Sequence, residues 1–255
     1  MLQLNFKKYG QGKPLIILHG FLGSLDNWHT IANEFGKSGF EVFTIDLRNH
    51  GRSPHTFLHS IPLMADDLND FMEQQNLSSA NIIGHSMGGK VAMQFALSYQ
   101  KKVDKLIVVD IAPREYTRGH DDVFAAIKNI ELGQIQTRKE AEEKMFPYLT
   151  DLSTRQFILK NLERSEEGNY HWKFNFETLY REYENMLVEI NSVQTFNGKT
   201  LFIKGSNSNY IQEKDRNDIE KIFPNVIIKS IEKSGHWVHA DNPKEFFETV
   251  INFLN

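Results

Sequence analysis

Short, nearly continuous apolar runs recur along the chain and alternate with segments in which apolar residues return at helical spacing. Unbroken aliphatic runs of this length are typical of strands buried on both faces of a parallel sheet. The strands predicted in this way are 15–18, 42–45, 82–83, 106–109, 201–203 and 226–228. The helices predicted between them are 27–37, 61–75, 90–99, 212–223 and 243–253. This alternation predicts an α/β fold with a mostly parallel, doubly wound sheet.

One long stretch does not follow the alternation. Residues 113–197 are charged and aromatic and contain no clear buried strand. Three segments within them carry apolar residues at helical spacing: 140–148, 151–162 and 174–190. We therefore predict a helical cap insertion at 113–197, carried by an α/β core formed from 1–112 and 198–255.

Composition excludes several classes of function. The 255 residues are 40% hydrophobic and 24% charged, as in an ordinary globular protein, and a net charge of −4 without a basic run gives no sign of a nucleic-acid partner. The absence of cysteine excludes disulfides, thiolate catalysis and cysteine-ligated metal sites. The chain has neither a signal-peptide layout nor a span-length apolar stretch, so we expect a cytoplasmic protein that does not bind membranes. Its oligomeric state is not predicted.

The most informative motif is Gly84-His85-Ser86-Met87-Gly88, which stands between a predicted strand and a predicted helix. A G-x-S-x-G sequence in this context is typical of a nucleophile elbow, a strained turn that lifts the serine at the end of the sheet. The glycines fit a close crossing of strand and helix, where a side chain at 84 or 88 would collide with the backbone. The following helix would direct free N–H groups at negative charge that develops on the substrate. Ser86 is therefore the predicted nucleophile.

A serine nucleophile requires a base, and His236 is the predicted one. It follows the last predicted strand, so it lies at the same sheet edge as the elbow. It also comes after Ser86 in chain order, as in serine hydrolases that use this elbow. His239 is three residues further on and is interpreted as a supporting or structural residue.

The tetrahedral intermediate requires an oxyanion hole, and the string 18–23 is the candidate for it. It follows the first predicted strand and contains Gly20 and Gly23. A turn of this kind can direct the backbone N–H of Phe21 at the same point as the N–H of Met87.

The predicted acid is Asp110, which ends the strand 106–109 next to the elbow strand. From there its carboxylate can reach the ring N–H of His236 and stabilise the imidazolium. The alternative is that Asp110 only caps a loop through backbone hydrogen bonds. Two other acidic residues are less suitable, since Asp215 lies on a predicted helix and Asp241 is too close to the histidine in sequence to turn back.

The strand before the histidine loop ends in Lys204-Gly205-Ser206-Asn207-Ser208, with no carboxylate. Many hydrolases with this arrangement have their acid at this place, so its absence here favours an acid on the previous strand. Ser206 and Ser208 are candidates to support the triad by a hydrogen bond to the histidine or to the acid.

Other polar segments are assigned structural roles. The segment 46–55 is interpreted as a structural support that packs beside the site. Its His50 and His55 suggest a metal, but no third ligand has suitable spacing, so neither a metal nor a cofactor is predicted. Three carboxylates of the helix at 61–75 are interpreted as its solvated face: Asp66, Asp67 and Asp70.

Taken together, these residues resemble α/β-hydrolase fold proteins over essentially the whole chain. Within that superfamily, the chain resembles the small bacterial esterases related to the abhydrolase-domain-containing protein 11 group. The likeness lies in the strings 46–55, 84–90, 205–210 and 235–240, and in 160–162 and 172–175 of the insertion. The resemblance implies hydrolysis of short-chain esters, with acyl-CoA thioesters as further substrates. The missing carboxylate after strand 201–203 is also a feature of this group.

The predicted function is a serine carboxylesterase or thioesterase. It would cleave short- to medium-chain acyl esters or thioesters through an acyl-enzyme, with a small-molecule substrate and no cofactor. Two alternatives stay open. A menaquinone-pathway-type lyase or a C–C bond hydrolase would use the same triad, although the string 49–55 counts against the former. A non-catalytic ligand receptor would keep the fold without turnover.

Overall fold

A computed structural model of the protein describes residues 1–190 and 194–255. Its strands are β1 (Phe6–Tyr9), β2 (Lys13–Leu18), β3 (Phe40–Ile45), β4 (Ala80–His85), β5 (Val103–Val109), β6 (Leu162–Arg164), β7 (Tyr170–Trp172), β8 (Lys199–Gly205) and β9 (Val226–Ile231). One sheet has the order β1-β3-β2-β4-β5-β8-β9. Its pairs are parallel apart from β1 with β3, which confirms the predicted, mostly parallel α/β sheet.

The edge strand β1 is missed by the search for apolar runs. Its two lysines, Lys7 and Lys8, are exposed between the partly buried Phe6 and Tyr9. A strand that pairs on one side and is partly exposed does not need a continuous aliphatic run, so it leaves no such signal. It pairs with β3, where Phe6 lies opposite Ile45.

Helices cover both faces of the sheet. They are α1 (His29–Lys37), α2 (Ile61–Gln74), α3 (Met87–Ser98), α4 (Asp121–Lys128), α5 (Arg138–Met145), α6 (Leu152–Leu159), α7 (Phe176–Arg181), α8 (Glu184–Leu187), α9 (Arg216–Ile222), α10 (Val238–Asp241) and α11 (Pro243–Leu254). Side chains of β2 alternate between two cores, because Ile16 packs with α2 and α3 while Leu15 and Ile17 pack with α1 and α11. The sheet is therefore doubly wound. None of the helices in the described ranges is long and apolar enough to cross a bilayer.

The acidic face proposed for α2 is wrong at one position. Asp66 is exposed, but Asp67 is buried and accepts hydrogen bonds from the guanidinium of Arg48, with an Nη2 to Oδ1 distance of 2.7 Å. The bidentate pair joins α2 to the loop after β3. The sequence pattern alone does not distinguish two neighbouring aspartates, because the burial of each side chain depends on the residues that pack against it.

Between β5 and β8 the chain forms α4 to α8 and a hairpin of β6 and β7. The purely helical prediction for this segment is wrong at the hairpin, in which Leu162 lies opposite Trp172. Strands of three residues are too short to show a period-two pattern. Buried side chains of α4 to α7 and of the hairpin share one apolar cluster with Leu22 of the core, whereas Met186 of α8 belongs to the cluster that contains α2 and α3. The division at 113–197 stays a prediction, and its residues 191–193 lie outside the described part of the chain.

Candidate active site

Ser86 occupies a strained backbone position between β4 and α3, with φ of 52° and ψ of −118°. The two flanking glycines allow this turn. A Cβ at Gly84 would lie 2.2 Å from the carbonyl oxygen of Gly88, and one at Gly88 would lie 2.5 Å from that of Leu18. Strand and helix therefore cross at backbone contact, as the G-x-S-x-G motif predicts. The serine stands at the N-terminus of α3, where backbone N–H groups have no partner within the helix.

Asp110 and His236 are in direct contact. Nδ1 of His236 lies 2.8 Å from Oδ2 of Asp110, whose side chain is fully buried at the end of β5. The N–H of Gly205 donates to the other carboxylate oxygen at 3.1 Å. The alternative acids are engaged elsewhere: Asp241 accepts a hydrogen bond from the N–H of Gly235, and Asp215 pairs with an arginine. The structure thus brings together the predicted base and the predicted acid.

The two candidate supporting serines differ in position. The hydroxyl of Ser208 donates to Oδ2 of Asp110, the same oxygen that contacts His236. Ser206 is exposed, and its backbone N–H donates to the carbonyl of Ile231 at the end of β9. A buried carboxylate held by several donors keeps a fixed orientation.

The loop after β2 passes directly beside the nucleophile. A Cβ at Gly20 would lie 2.9 Å from Nδ1 of His85 and 3.3 Å from Cβ of Ser86, so a side chain at this position would require His85 to shift. The next residue, Phe21, lines the same small cavity as Ser86. The N–H of Leu22 donates to Nε2 of His50 at 3.2 Å, which ties this loop to the loop after β3.

Two buried histidines, His19 and His50, support this loop by hydrogen bonds, and neither is arranged as a metal ligand. Because the N–H of Leu47 donates to Nε2 of His19, the proton of that ring is on Nδ1, which donates to the carbonyl of Gly20. Burial lowers the pKa of His19 and, more strongly, that of His50, so both stay neutral. His55 lies against the carbonyl of Lys173 instead. No group of three or more His, Asp or Glu residues in the described ranges is placed to hold a metal ion.

Aromatic rings enclose the imidazole of His236. The ring of Tyr210 stacks on it at 3.9 Å and 19°. His85 donates from Nε2 to the carbonyl of His236 at 2.8 Å, and burial keeps the pKa of His85 well below its usual value. Burial also lowers the pKa of His120 to about 4, with a contribution from His236. These neighbours stay neutral near pH 7, so they add no fixed charge beside the imidazole.

Three cavities adjoin one another through shared lining residues, and Ser86 lines two of them. The central cavity, of about 50 Å³, is lined by Ser86 and His236. The apolar cavity, of about 170 Å³, shares Phe21, Ser86 and His120 with it. The polar cavity, of about 240 Å³, shares Gly20, His85, Phe157 and Trp237 with the central cavity. A substrate with its reacting carbonyl in the central cavity therefore has room on two sides.

Lys90 is a buried lysine that the sequence analysis did not single out. Its Nζ donates to the carbonyl oxygens of Leu187, at 3.0 Å, and Val188, and it lies 4.9 Å from the ring centre of Tyr116. Burial and the nearby Arg114 lower the pKa of Lys90 to about 7. A signal was available, because α3 is apolar on nearly all sides and a lysine within such a helix must be buried.

Comparison with known proteins shows which family the chain resembles. A family model described as the alpha/beta hydrolase fold matches residues 13–243. The chain is 38% identical over 257 residues to the "sn-1-specific diacylglycerol lipase ABHD11" of Danio rerio, covering 98% of this chain and 80% of that protein. It is 36% identical over 243 residues to "Esterase YbfF" of Escherichia coli, and this match covers 95% of this chain and 93% of that protein. A solved "Marine microorganism esterase" is 45% identical, with a TM-score of 0.96 over 99% of this chain and all of the other.

The chain therefore belongs to the α/β-hydrolase fold family. Its similarity to relatives named as esterases and lipases places it among the α/β hydrolases of the esterase and lipase kind. The predicted resemblance to the abhydrolase-domain-containing protein 11 group is confirmed.

Proposed function

We propose that the chain is a serine carboxylesterase. His236 takes the proton of Ser86 as the hydroxyl attacks the ester carbonyl, and Asp110 holds the ring and stabilises the imidazolium. The alcohol leaves with a proton from His236, and water then hydrolyses the acyl-enzyme by the same two steps. The observation that carries this proposal is a buried carboxylate 2.8 Å from an imidazole that lines one cavity with a serine in a strained elbow.

The backbone N–H groups of Phe21 and Met87 are assigned to the oxyanion hole. The close approach of Gly20 to Ser86 supports this assignment, as does the position of Met87 as the first residue of α3. Loss of one such donor typically raises the barrier by about 3 kcal/mol. Ser208 is assigned a positioning role, in which its hydroxyl holds Asp110 in the orientation that meets the imidazole.

The substrates we propose are short- to medium-chain acyl esters, with thioesters, including acyl-CoA, as a second group. The apolar cavity takes the acyl part, because Phe21, Met87, Ile111 and Met186 line it next to Ser86. Residues 113–197 act as the cap, and their Met186 forms part of the wall of this cavity. The relatives named as esterases support the ester over the thioester.

A fluorophosphonate probe followed by peptide mapping tests the nucleophile. We expect a single modified residue, Ser86, and no labelling of a Ser86→Ala variant. Hydrolysis of p-nitrophenyl acetate, butyrate and octanoate then tests the reaction and the acyl length, and butyryl-CoA tests the thioester. Labelling at another residue, or no turnover of any of these compounds, would overturn the proposal and favour a lyase or a binding protein.

A further inference from the structure

Tyr210 contacts the predicted base, and the mechanism above gives it no role. Its ring is nearly parallel to the imidazole of His236, with ring centres 3.9 Å apart and an angle of 19° between the planes. The rings of His85 and Trp237, which are also near this imidazole, are tilted against it by 44° and 52°. Tyr210 therefore covers one face of the imidazole.

Hydrogen bonds at both ends of its backbone hold Tyr210 in place. Its N–H donates to Oγ of Ser208 at 3.3 Å, and its carbonyl accepts from the hydroxyl of Tyr116 at 2.6 Å. The hydroxyl of Tyr116 in turn accepts from the N–H of Ala112 at 2.8 Å. The rings of the two tyrosines also pack together, with centres 5.6 Å apart and planes at 32°. The ring of Tyr210 thus has a fixed support.

An arginine secures Tyr116. The guanidinium carbon of Arg114 lies 3.9 Å from the centre of the Tyr116 ring. Its Nε lies 3.1 Å from a carboxylate oxygen of Asp215, whose side chain is buried. Successive contacts therefore join this ion pair through Tyr116 and Tyr210 to the imidazole, and Tyr210 cannot turn away without breaking them.

The stacked ring has two effects on the imidazole. The contact between Nδ1 and Asp110 fixes one edge of His236, and the parallel ring of Tyr210 fixes its plane. A cation over the face of a tyrosine ring, within about 6 Å of its centre, is also attracted to that face. Burial, together with the nearby Asp110 carboxylate, raises the pKa of Tyr210, so its hydroxyl stays protonated and its ring neutral. The ring therefore favours the charged form of the imidazole.

We propose that Tyr210 is a positioning residue for His236. Its ring face fixes the plane of the imidazole and stabilises the imidazolium that forms as Ser86 attacks the ester carbonyl. This proposal rests on the proposed esterase function and adds a residue to its mechanism. The loop after β8, which has no carboxylate at the place where many hydrolases have their acid, then supports both partners of the pair: Ser208 contacts Asp110, and Tyr210 contacts His236.

The test must separate this role from acyl binding, because Tyr210 also lines the apolar cavity. Tyr210→Phe keeps the ring face, whereas Tyr210→Leu replaces it with an aliphatic side chain. We expect kcat to fall about tenfold in Tyr210→Leu and to stay within about twofold of wild type in Tyr210→Phe. The loss should be equal for p-nitrophenyl acetate and octanoate, since both react through the same imidazole. A residue that only lines the cavity would change KM, and more so for the longer acyl group.

The pH profile of kcat/KM provides a second readout, since it reports protonation of the base in the free enzyme. The titratable groups around His236 are Asp110 and three histidines. Burial lowers the pKa of His85 well below its usual value, that of His120 to about 4 and that of His239 to about 3. These histidines are neutral over the range in which an acid limb between pH 5 and pH 8 is measured.

We expect the midpoint of this acid limb to move to lower pH by about 0.5 to 1 pH unit in Tyr210→Leu, because the imidazolium loses the ring face. Tyr210→Phe should keep the wild-type midpoint. The midpoint does not depend on the amount of active enzyme, so a variant that folds in low yield still gives an answer. The matched control is Tyr148→Leu, which replaces an exposed tyrosine and should leave kcat and the profile unchanged.

Four results would overturn the role of Tyr210 and leave the esterase function intact. They are a wild-type kcat in Tyr210→Leu, a loss confined to the octanoate, equal losses in the Leu and Phe variants, and a fall in kcat with an unchanged midpoint. A wild-type protein that hydrolyses no ester and is not labelled at Ser86 would instead overturn the proposed function.

Discussion

Asp110 Oδ2 and His236 Nδ1 lie 2.8 Å apart although 126 positions separate the two residues in the chain. The contact arises because β5, β8 and β9 are parallel neighbours, so the loops at their carboxyl ends meet at one edge of the sheet. Asp110 has a positive φ of 51°, which turns the chain directly after β5. The pair depends on sheet order rather than on any local motif.

This pair gives the first prediction. Asp110→Asn keeps the size of the side chain but removes the charge that stabilises the imidazolium, so turnover should fall roughly 10⁴-fold. The measurement is kcat with p-nitrophenyl butyrate, with thermal unfolding to verify the fold. Asp241→Asn is the matched control and should lose less than about tenfold, because this carboxylate accepts a backbone N–H instead. Equal losses in the two variants would contradict the assignment of the acid.

Ser208 provides a prediction about support of the acid. Ser208→Ala removes the hydroxyl that donates to Asp110, and a lost hydrogen bond to a charged group should lower kcat by roughly 10- to 100-fold with little change in KM. Ser206→Ala removes an exposed hydroxyl two residues away and should behave as wild type. If the two alanine variants have the same kcat, Ser208 does not position the carboxylate.

The crossing of β4 and α3 predicts an effect on stability. Gly88→Ala places a methyl group 2.5 Å from the backbone carbonyl oxygen of Leu18, and we expect a loss of about 3 kcal/mol in the free energy of unfolding. Gly133→Ala is the control, since no atom of the described residues lies within 4 Å of its added Cβ and the change should stay below about 0.5 kcal/mol. Urea unfolding measures both, and a Gly88→Ala protein as stable as wild type would contradict the backbone contact.

Lys90 predicts a pH dependence of stability. Its pKa is about 7 in the folded protein and 10.5 as a model value, so between these values the unfolded chain binds more protons. The stability of wild type relative to Lys90→Met should therefore rise from pH 7 to pH 10, with a slope approaching about 1.4 kcal/mol per pH unit. Denaturant titrations of both proteins at several pH values measure it. A difference that is constant or falls over this range would show that Lys90 stays charged.

Some features were predictable from local sequence because their cause is local. Unbroken aliphatic runs identify strands that are covered on both faces. These runs predicted the core strands of the parallel sheet, and their alternation with helices predicted the fold class. The elbow was predictable because a tight strand–helix crossing requires glycine at 84 and 88. Neither β1 nor the hairpin of β6 and β7 was predictable, because strands that are short or partly exposed need no aliphatic run.

The chain by itself determined the fold class, the family and the candidate positions of the nucleophile, base and acid, since each is marked by residue type and place beside a strand. Tertiary structure decided which groups share a buried space. It gave Ser208, and not Ser206, the contact with Asp110, buried Asp67 while Asp66 stayed exposed, and enclosed Lys90. The reason is physical: hydrogen bonds, burial and pKa shifts depend on distances between segments far apart in sequence, and only packing sets those distances.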